Sequence, residues 1–305
     1  VDLNGEWSFL WYRCVAEMAA NKARADRFES ATKMVVPGNW ELQSERFGFP
    51  LYTNIGTAGP LELTPPRVAY KDAAGMGVDY NPTGVYRRQV ALPASFRGLD
   101  VYLTVGAATS ALYVNVNGVD IGYSQDSKLP AEFDITRALA KDGGEDGESI
   151  VTITLTVICW CDGAFLEDQD MWWLAGITRD VFLTARPKLH ISDHFVRCSL
   201  LPAPSGNLME GHGGLELDVS VRDSSSSDDA MPFAVTVDLL GRTGETLFSR
   251  DVHGSISTVG AVRGSTVSLD VALTFPIEPW TAESPALYTL RLTLKQQCEA
   301  GGPNF

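Results

Sequence analysis

The sequence predicts an all-β protein built from β-sandwiches. Apolar and polar residues alternate along many short segments, and turn residues such as Asn117-Gly118 separate these segments. Residues 151–158 show the pattern well, because the branched apolar side chains fall on one face and the threonines on the other, as in a half-buried strand. Helical spacing is scarce, so antiparallel sheets are favoured over a parallel α/β sheet.

Strands are predicted in both halves of the chain, and Asn117-Gly118 predicts a tight hairpin turn. Besides 151–158, the alternating apolar positions are Leu112/Val114/Val116, Leu215/Leu217/Val219/Val221, Phe233/Val235/Val237/Leu239, Val267/Leu269/Val271/Leu273 and Leu290/Leu292/Leu294. One short surface helix is predicted over Val15–Phe28, where the 3.6-residue spacing is partial. The segments 141–148 and 223–229, rich in acidic residues with glycine or serine, are predicted to be solvated turns.

Two domains are predicted, covering residues 1–187 and 188–305. A chain of 305 residues is longer than one average domain. Six of the seven tryptophans and the motif-rich loops precede Arg186-Pro187-Lys188, whereas plain alternating strands follow it. We therefore place the boundary at this composition shift.

Charge and composition exclude several partners. The net charge is −14 and the pI is near 4.7, so a polyphosphate would be repelled and no nucleic-acid partner is expected. No run of about 18 apolar residues is present, so no membrane span is expected. The chain begins at Val1 without the basic and apolar segments of a signal peptide, which favours a cytoplasmic location but leaves any upstream segment open.

Cysteine and histidine spacing indicates neither disulfides nor a transition metal. Cys159 and Cys161 fall on one face of a strand, which is poor disulfide geometry. We expect reduced, mostly buried thiols at the five cysteines, which are Cys14, Cys159, Cys161, Cys198 and Cys298. The four histidines do not have the spacing of a zinc site.

The segment 166–173 combines three carboxylates with two tryptophans. Clustered carboxylates resist burial unless a cation, a donor or water satisfies them. Indole faces stack on sugar rings, and carboxylates accept hydrogen bonds from hydroxyls. The composition of this segment fits two alternatives. One is a sugar or cation site, and the other is an acidic loop anchored by tryptophan. Trp7, Trp40 and Trp160 are predicted to be core anchors, whereas Trp172 fits either role.

This segment stands in an ordered series of longer motifs. They are Leu3–Trp7, Val36–Glu41, Tyr52–Ile55, Asn81–Arg88, Gly122–Phe133, Cys159–Gly163 and Leu166–Trp173, with Pro279–Tyr288 further on. In this order the chain resembles the N-terminal part of a glycoside hydrolase family 2 β-galactosidase of the large bacterial lac type. The resemblance implies a jelly-roll, galactose-binding-like sandwich followed by an immunoglobulin-like β-sandwich that is incomplete at its C-terminus.

The resemblance also implies a function for the full-length protein. Members of this family are retaining enzymes that cleave terminal β-D-galactose from β-galactosides such as lactose. Their two catalytic glutamates, about 5 Å apart, lie in a (β/α)8 barrel. This chain ends before such a barrel, so no catalytic residue is predicted within it. Homo-oligomers are common in the family, so a homo-oligomer is expected at full length.

Two residues match sugar-binding positions of the family. Asn54 matches an asparagine that hydrogen-bonds galactose, and Asp170 matches an aspartate at the galactose site that also coordinates sodium. From spacing alone, Asn54 also fits an ordinary turn. The family further implies Mg²⁺, bound mainly outside this chain, with a peripheral site near Gln125 and Asp162. Glu167 and Asp168 fit either ligand contact or loop-fixing backbone hydrogen bonds.

The chain departs from the family pattern at two places. Residues 56–60 replace an aromatic and a proline after Ile55, and Trp173 stands where an arginine is usual. The missing guanidinium changes the charge balance of the acidic segment. Two alternatives stay open: a stand-alone carbohydrate-binding module, and a family 2 enzyme for β-glucuronides or β-mannosides.

Overall fold

The computed structural model confirms the all-β class. The chain divides into two units, residues 1–185 and 186–305. The structure describes residues 1–21, 28, 31–52, 61–64, 67–71, 77–139, 149–166, 170–201, 211–225, 229–259 and 262–296. No helix within these ranges is long and apolar enough to cross a membrane.

Seventeen strands of the first unit fall within the described residues. They are β1 (Gly5–Tyr12), β2 (Thr32–Val36), β3 (Gly38–Asn39), β4 (Leu51–Tyr52), β5 (Leu61–Thr64), β6 (Arg67–Lys71), β7 (Gly77–Asp79), β8 (Thr83–Leu92), β9 (Asp100–Val105), β10 (Ala108–Thr109), β11 (Ala111–Val116), β12 (Val119–Ser124), β13 (Ala131–Asp134), β14 (Ser149–Ile158), β15 (Trp172–Trp173), β16 (Gly176–Ile177) and β17 (Val181–Arg186). The last of these ends one residue beyond the division between the units.

Within the described ranges, helical structure is limited to short pieces. The α-helices are α1 (Val15–Asn21), α2 (Trp40–Gln43) and α3 (Thr136–Leu139), and 3₁₀ turns cover Glu45–Phe47, Ala94–Phe96 and Asp162–Phe165. The predicted surface helix begins at Val15 as expected and ends at Asn21. Residues 22–27 of the predicted extension to Phe28 lie outside the described residues. None of the side chains of α1 is buried.

The first unit is a jelly-roll sandwich whose large sheet has the order β12-β11-β14-β8-β1-β2. Two three-stranded sheets, β13-β9-β17 and β10-β16-β3, contribute to the same hydrophobic core. In β14 the side chains of Val151, Ile153, Leu155 and Val157 are buried, whereas the threonines between them are half-buried. The predicted alternation of this strand is therefore confirmed.

The predicted hairpin turn is also confirmed. Asn117 and Gly118 connect β11 to β12 with φ angles of 51° and 81°. Positive φ at both central positions is what a two-residue turn between right-twisted strands requires, and Asn-Gly tolerates it best.

An aromatic cluster fixes the segment that follows β3. The Phe9 ring lies 4.7 Å from Tyr86, 5.1 Å from Phe47 and 5.9 Å from Trp40, measured between ring centroids. Trp7, Trp40 and Trp160 are buried, as predicted for core anchors. Such aromatic burial contributes several kcal/mol and makes residues 40–47 a rigid base for the chain leading to Tyr52.

In the part of the second unit that the structure describes, six strands have the order β18-β19-β22-β21-β20-β23. They are β18 (Leu189–Leu201), β19 (His212–Asp223), β20 (Met231–Leu240), β21 (Thr246–Val259), β22 (Val262–Pro276) and β23 (Thr289–Gln296). The first part of β21 pairs with β20, and its last residues pair with β22, so this strand passes from one layer to the other. The result is an immunoglobulin-like sandwich with a core formed by both layers.

All four strands predicted in this unit are present, and their alternating apolar residues contribute to its core. One expectation for the segment 223–229 is wrong. Asp223 is not solvated, because its carboxylate is buried and accepts a hydrogen bond at 2.8 Å from Arg263 Nε. Serines make up most of this segment, so its composition does not indicate that Asp223 forms a buried ion pair.

The cysteine predictions hold in part. Cys14, Cys159, Cys161 and Cys198 are free thiols, and Cys298 lies outside the described residues. Cys198 is exposed rather than buried. It lies in β18, which is at the edge of the second sheet and has mostly exposed side chains.

Candidate functional site

Residues 38–52 and 172–177 are distant in sequence but pair with each other at two successive points. Residues 38–39 of β3 pair with β16 through Gly38↔Ile177 and Asn39↔Gly176. Further along, β4 pairs with β15 through Leu51↔Trp173 and Tyr52↔Trp172. Between these ladders the Trp40 amide donates to the Ala175 carbonyl at 3.1 Å. The pairing holds Tyr52 next to the start of the segment 170–177.

A buried carboxylate reinforces this pairing. Both oxygens of Glu41 accept a hydrogen bond from the Ala175 amide at 3.1 Å. Burial raises the pKa of Glu41 to about 7, although hydrogen bonds from its own amide and from the Ala175 amide favour the charged form. The Glu41 carboxyl therefore changes its charge near neutral pH while it holds the segment that leads to Asp170.

Burial and the charge of Glu41 also raise the pKa of two other groups, Tyr86 and Cys159. Burial raises the pKa of Tyr86, and the negative charge of Glu41 raises it further. Burial, followed by the negative charge of Glu41, raises the pKa of the Cys159 thiol. Both groups therefore stay protonated, and neither is poised as a nucleophile at neutral pH.

Tyr52, Asp170 and Trp172 form an exposed group at the end of the paired segments. The Tyr52 hydroxyl donates a hydrogen bond to Asp170 Oδ1. This hydrogen bond, then partial desolvation and the charge of Asp170, raise the pKa of Tyr52. The centroids of the Tyr52 and Trp172 rings lie 5.5 Å apart, and the ring planes are inclined by 51°. Tyr52 is 45% exposed and Trp172 is 58% exposed. A stacking surface and an acidic acceptor thus stand side by side.

Trp173 has the opposite role from Trp172. Its ring lies 4.9 Å from that of Trp160, at 40°, in a small cluster with Leu51 and Cys161. The residue that replaces the expected arginine is therefore a packing anchor. It holds β15 against the body of the unit and leaves Trp172 on the open face.

The structure places only part of the predicted sugar site. Asp170 is exposed and bonded to Tyr52. Asn54, Glu167 and Asp168, as well as residues 56–60, lie outside the described residues. The interpretation of Trp172 as a sugar platform stays open to test, but its alternative as a core residue is wrong because the ring is mostly exposed.

The two residues of the expected peripheral magnesium site are neighbours. A Cβ on Gly163 would stand 3.5 Å from the Gln125 carbonyl oxygen, so the Asp162–Gly163 turn packs against Gln125. Gln125 Oε1 accepts a hydrogen bond from the Tyr123 hydroxyl, and Asp162 Oδ1 accepts one from the Gly163 amide. An amide oxygen and a carboxylate are oxygen ligands of the kind Mg²⁺ takes. Within the described ranges, no three or more His, Cys, Asp or Glu side chains form a metal cluster.

Two functional neighbours were missed from the sequence. Tyr52 was identified only as a flank of Asn54, and Glu41 was not singled out. An aromatic beside a predicted sugar ligand was an available signal for Tyr52. Nothing in the sequence indicates the contact of Glu41 with Ala175, because 134 residues separate them and only the fold joins them.

Comparison with known proteins assigns the family. Residues 1–187 match the family model described as glycosyl hydrolases family 2, sugar binding domain. The chain belongs to this glycoside hydrolase family.

Its relatives include proteins named beta-galactosidase. The chain is 34% identical over 301 residues to one from Priestia megaterium, and 35% identical over 303 residues to one from Vibrio vulnificus. In both cases the match covers 96% of this chain and 26% of the relative. The chain thus spans about a quarter of the length of these relatives.

Solved structures support the fold. A β-glucuronidase from Bacteroides uniformis superposes with a TM-score of 0.70 at 21% identity, covering 97% of this chain and 30% of the other. A putative beta-galactosidase from Bacteroides fragilis superposes with a TM-score of 0.68 at 14% identity, covering 98% and 39%. At these identities the likeness is one of fold.

Proposed function

We propose that this chain is the sugar-binding part of a β-galactosidase, which cleaves terminal non-reducing β-D-galactose from β-galactosides such as lactose with retention of configuration. The observation that carries the proposal is the group of Tyr52, Asp170 and Trp172, which joins a stacking face to an acidic acceptor. The names of the relatives that match 96% of this chain support the galactoside as substrate.

In this proposal Asp170 accepts hydrogen bonds from galactose hydroxyls, and Trp172 covers an apolar face of the ring. Asn54 follows Tyr52 by two residues in sequence, and its amide can both donate to and accept from hydroxyls. The Tyr52 hydroxyl orients the carboxylate, since it occupies one oxygen of Asp170 and leaves the other for ligand.

Asp170 is also proposed as a sodium ligand. A hard cation prefers oxygen donors, and an exposed carboxylate fits that preference. One carboxylate supplies only part of such a ligand set, so sugar hydroxyls and other parts of the full-length protein complete it. Bound sodium would hold a galactose hydroxyl in place. Mg²⁺ is proposed to bind mainly outside this chain, with Gln125 and Asp162 as a peripheral pair.

The bond-breaking groups are assigned to a separate catalytic barrel, with two glutamates acting as acid/base and nucleophile. No residue of this chain is assigned a catalytic role. The full-length protein is proposed to be a cytoplasmic homo-oligomer. A β-glucuronide is the less suitable substrate, because the charge of Asp170 opposes the carboxylate of a glucuronate.

The test is an assay of the full-length protein with 4-nitrophenyl β-galactoside, β-glucuronide and β-mannoside, with and without sodium. We expect the galactoside to be hydrolysed fastest and sodium to increase that rate. Faster hydrolysis of either other glycoside would refute the proposed substrate. Titration of the 305-residue chain with galactose tests the module alternative, because binding tighter than the millimolar range would favour a stand-alone carbohydrate-binding module.

A further inference from the structure

The outer face of the large sheet of the first unit carries a cleft. Its volume is about 870 Å³, within the range of small-molecule sites. The floor is formed by side chains of β1, β8, β11, β12 and β14, most of which lie on the face opposite to the core of the unit. Its lining shares no residue with the group of Tyr52, Asp170 and Trp172.

One end of the cleft offers an aromatic platform. Tyr113 and Tyr123 are directly opposite each other on β11 and β12, with ring centroids 4.7 Å apart and planes inclined by 48°. They are 48% and 44% exposed. A tyrosine pair that only stabilises the hairpin would be explained by cross-strand packing. Here the pair also borders a cleft, so its free faces are available to a sugar ring.

The floor provides hydrogen-bonding groups next to that platform. Thr154 and Thr156 of β14 are among the lining residues of the cleft. Asn115 Nδ2 donates to Asp120 Oδ1 at 2.7 Å, which leaves the second oxygen of this carboxylate for a ligand. Hydroxyls, an amide and a carboxylate are the partners that sugar hydroxyls use.

The other side of the cleft is shaped by the N-terminal segment. Met18 and Asn21 of α1 are half-buried and line this side, although the remaining residues of the helix are exposed. The Arg87 guanidinium stacks 3.8 Å from the centroid of the Phe28 ring, and its Nε donates to Thr154 Oγ1 at 3.4 Å. Burial lowers the pKa of Arg87. Arg87 therefore contacts both Phe28 and the sheet on this side of the cleft.

The charges of the lining select the class of ligand. Among the described lining residues, Arg87 and Asp120 are the charged ones, and they balance each other. A balanced cleft has no preference for an anion, so an acidic sugar gains nothing over a neutral one. We propose that this cleft is a second carbohydrate site that binds a neutral oligosaccharide by stacking on Tyr113 and Tyr123.

The proposal is tested by calorimetric titration of the 305-residue chain with lactose and with a β-1,4-linked galactotetraose. We expect the tetrasaccharide to bind, and Tyr113→Ala or Tyr123→Ala to weaken its binding about tenfold. Tyr113→Phe and Tyr123→Phe should retain the affinity, since the ring face rather than the hydroxyl makes the contact. Circular dichroism and thermal unfolding establish that each variant is folded.

Tyr52→Ala is the matched control, because it removes an exposed tyrosine from the other site. Cleft binding should be unchanged in this variant, so failure of the cleft and failure of the proposed galactose site give different results. Three outcomes would overturn the proposal: no binding of the tetrasaccharide up to tens of millimolar, binding that is lost in Tyr52→Ala but kept in the Tyr113 and Tyr123 alanine variants, or tighter binding of oligogalacturonate.

Discussion

The Tyr52 hydroxyl donates a hydrogen bond to the Asp170 carboxylate, although 118 positions separate the two residues in the chain. The contact exists because β4 and β15 pair with Tyr52 directly opposite Trp172. It fixes an acidic acceptor next to two aromatic rings on an exposed surface.

Replacement of Asp170 should lower the pKa of Tyr52. The hydrogen bond to Asp170 is the main cause of the raised value, and the negative charge of Asp170 adds to it. In Asp170→Asn the charge is lost and the bond is weaker, so the phenol ionises more easily. Carbon-13 NMR titration of labelled tyrosine in the wild type and in Asp170→Asn measures this difference. An unchanged Tyr52 titration would mean that the contact does not form in solution.

Asp170→Ala in the full-length enzyme should abolish sodium dependence and most activity while the sandwich stays folded. The variant removes the proposed acceptor and sodium ligand, and an exposed carboxylate contributes little to folding. Hydrolysis of 4-nitrophenyl β-galactoside over a sodium series measures the effect, with circular dichroism as the folding check. The exposed Asp270→Ala is the control and should behave as wild type. Wild-type activity in Asp170→Ala would remove the role assigned to this residue.

Stability of the first unit should fall as pH rises toward 8. The pKa of Glu41 is about 7 in the folded state against 4.5 ordinarily, so between these values the folded state keeps a proton that the unfolded chain has released. The loss reaches at most about 3 kcal/mol above pH 7. Urea unfolding followed by tryptophan fluorescence at pH 5, 7 and 9 measures it.

Glu41→Gln should remove most of this pH dependence and raise the stability at pH 9, because the amide is neutral and can still accept from Ala175. Glu45→Gln, an exposed change in the same segment, should leave the dependence intact. The same slope in Glu41→Gln as in wild type would assign the dependence to another group.

Gly176→Ala should disrupt the pairing of β3 with β16. Gly176 has a φ of 130°, and a Cβ there would lie 2.5 Å from the Gly38 carbonyl oxygen, which is backbone and cannot rotate away. We expect a loss of more than about 2 kcal/mol in unfolding free energy. Gly118→Ala is the matched control, since its φ is 81° but no atom lies within 4 Å of its Cβ position, and strain alone costs about 1–2 kcal/mol. Equal losses of unfolding free energy in Gly176→Ala and Gly118→Ala would contradict the close approach of Gly176 to the Gly38 carbonyl oxygen.

Asp223→Asn should destabilise the second unit by about 3 kcal/mol, because it leaves Arg263 buried beside a neutral group. Burial raises the pKa of Asp223, but hydrogen bonds from Ser225 and Arg263 outweigh it and lower the pKa below the ordinary 3.8. The stabilisation is therefore present above pH 4 and lost as pH falls through the folded-state pKa.

Denaturant unfolding followed by circular dichroism measures this loss. Asp218→Asn breaks a surface pair with Arg197 and should cost much less unfolding free energy than Asp223→Asn. If both substitutions cost the same, the Asp223–Arg263 pair is not buried in solution.

Much of the fold could be predicted because local patterns report it directly. The alternation in residues 151–158 reflects which face of β14 is buried, and Asn117-Gly118 adopts the positive φ angles that its residue types tolerate. The alanine-rich composition after Val15 predicts a surface helix, and the described helix begins there and covers Val15–Asn21. Asp223 was misjudged because its partner, Arg263, is 40 residues away.

The all-β class, the family and the position of Asp170 can be predicted from the residues alone, since each depends on residue types in a fixed local order. The neighbours of Asp170 depend on how distant segments of the chain pair. This pairing places Tyr52 on the carboxylate, exposes Trp172 and turns Trp173 inward onto Trp160. The physical reason is that strand register and burial alternate side chains between two faces, and pairing between distant segments sets that register.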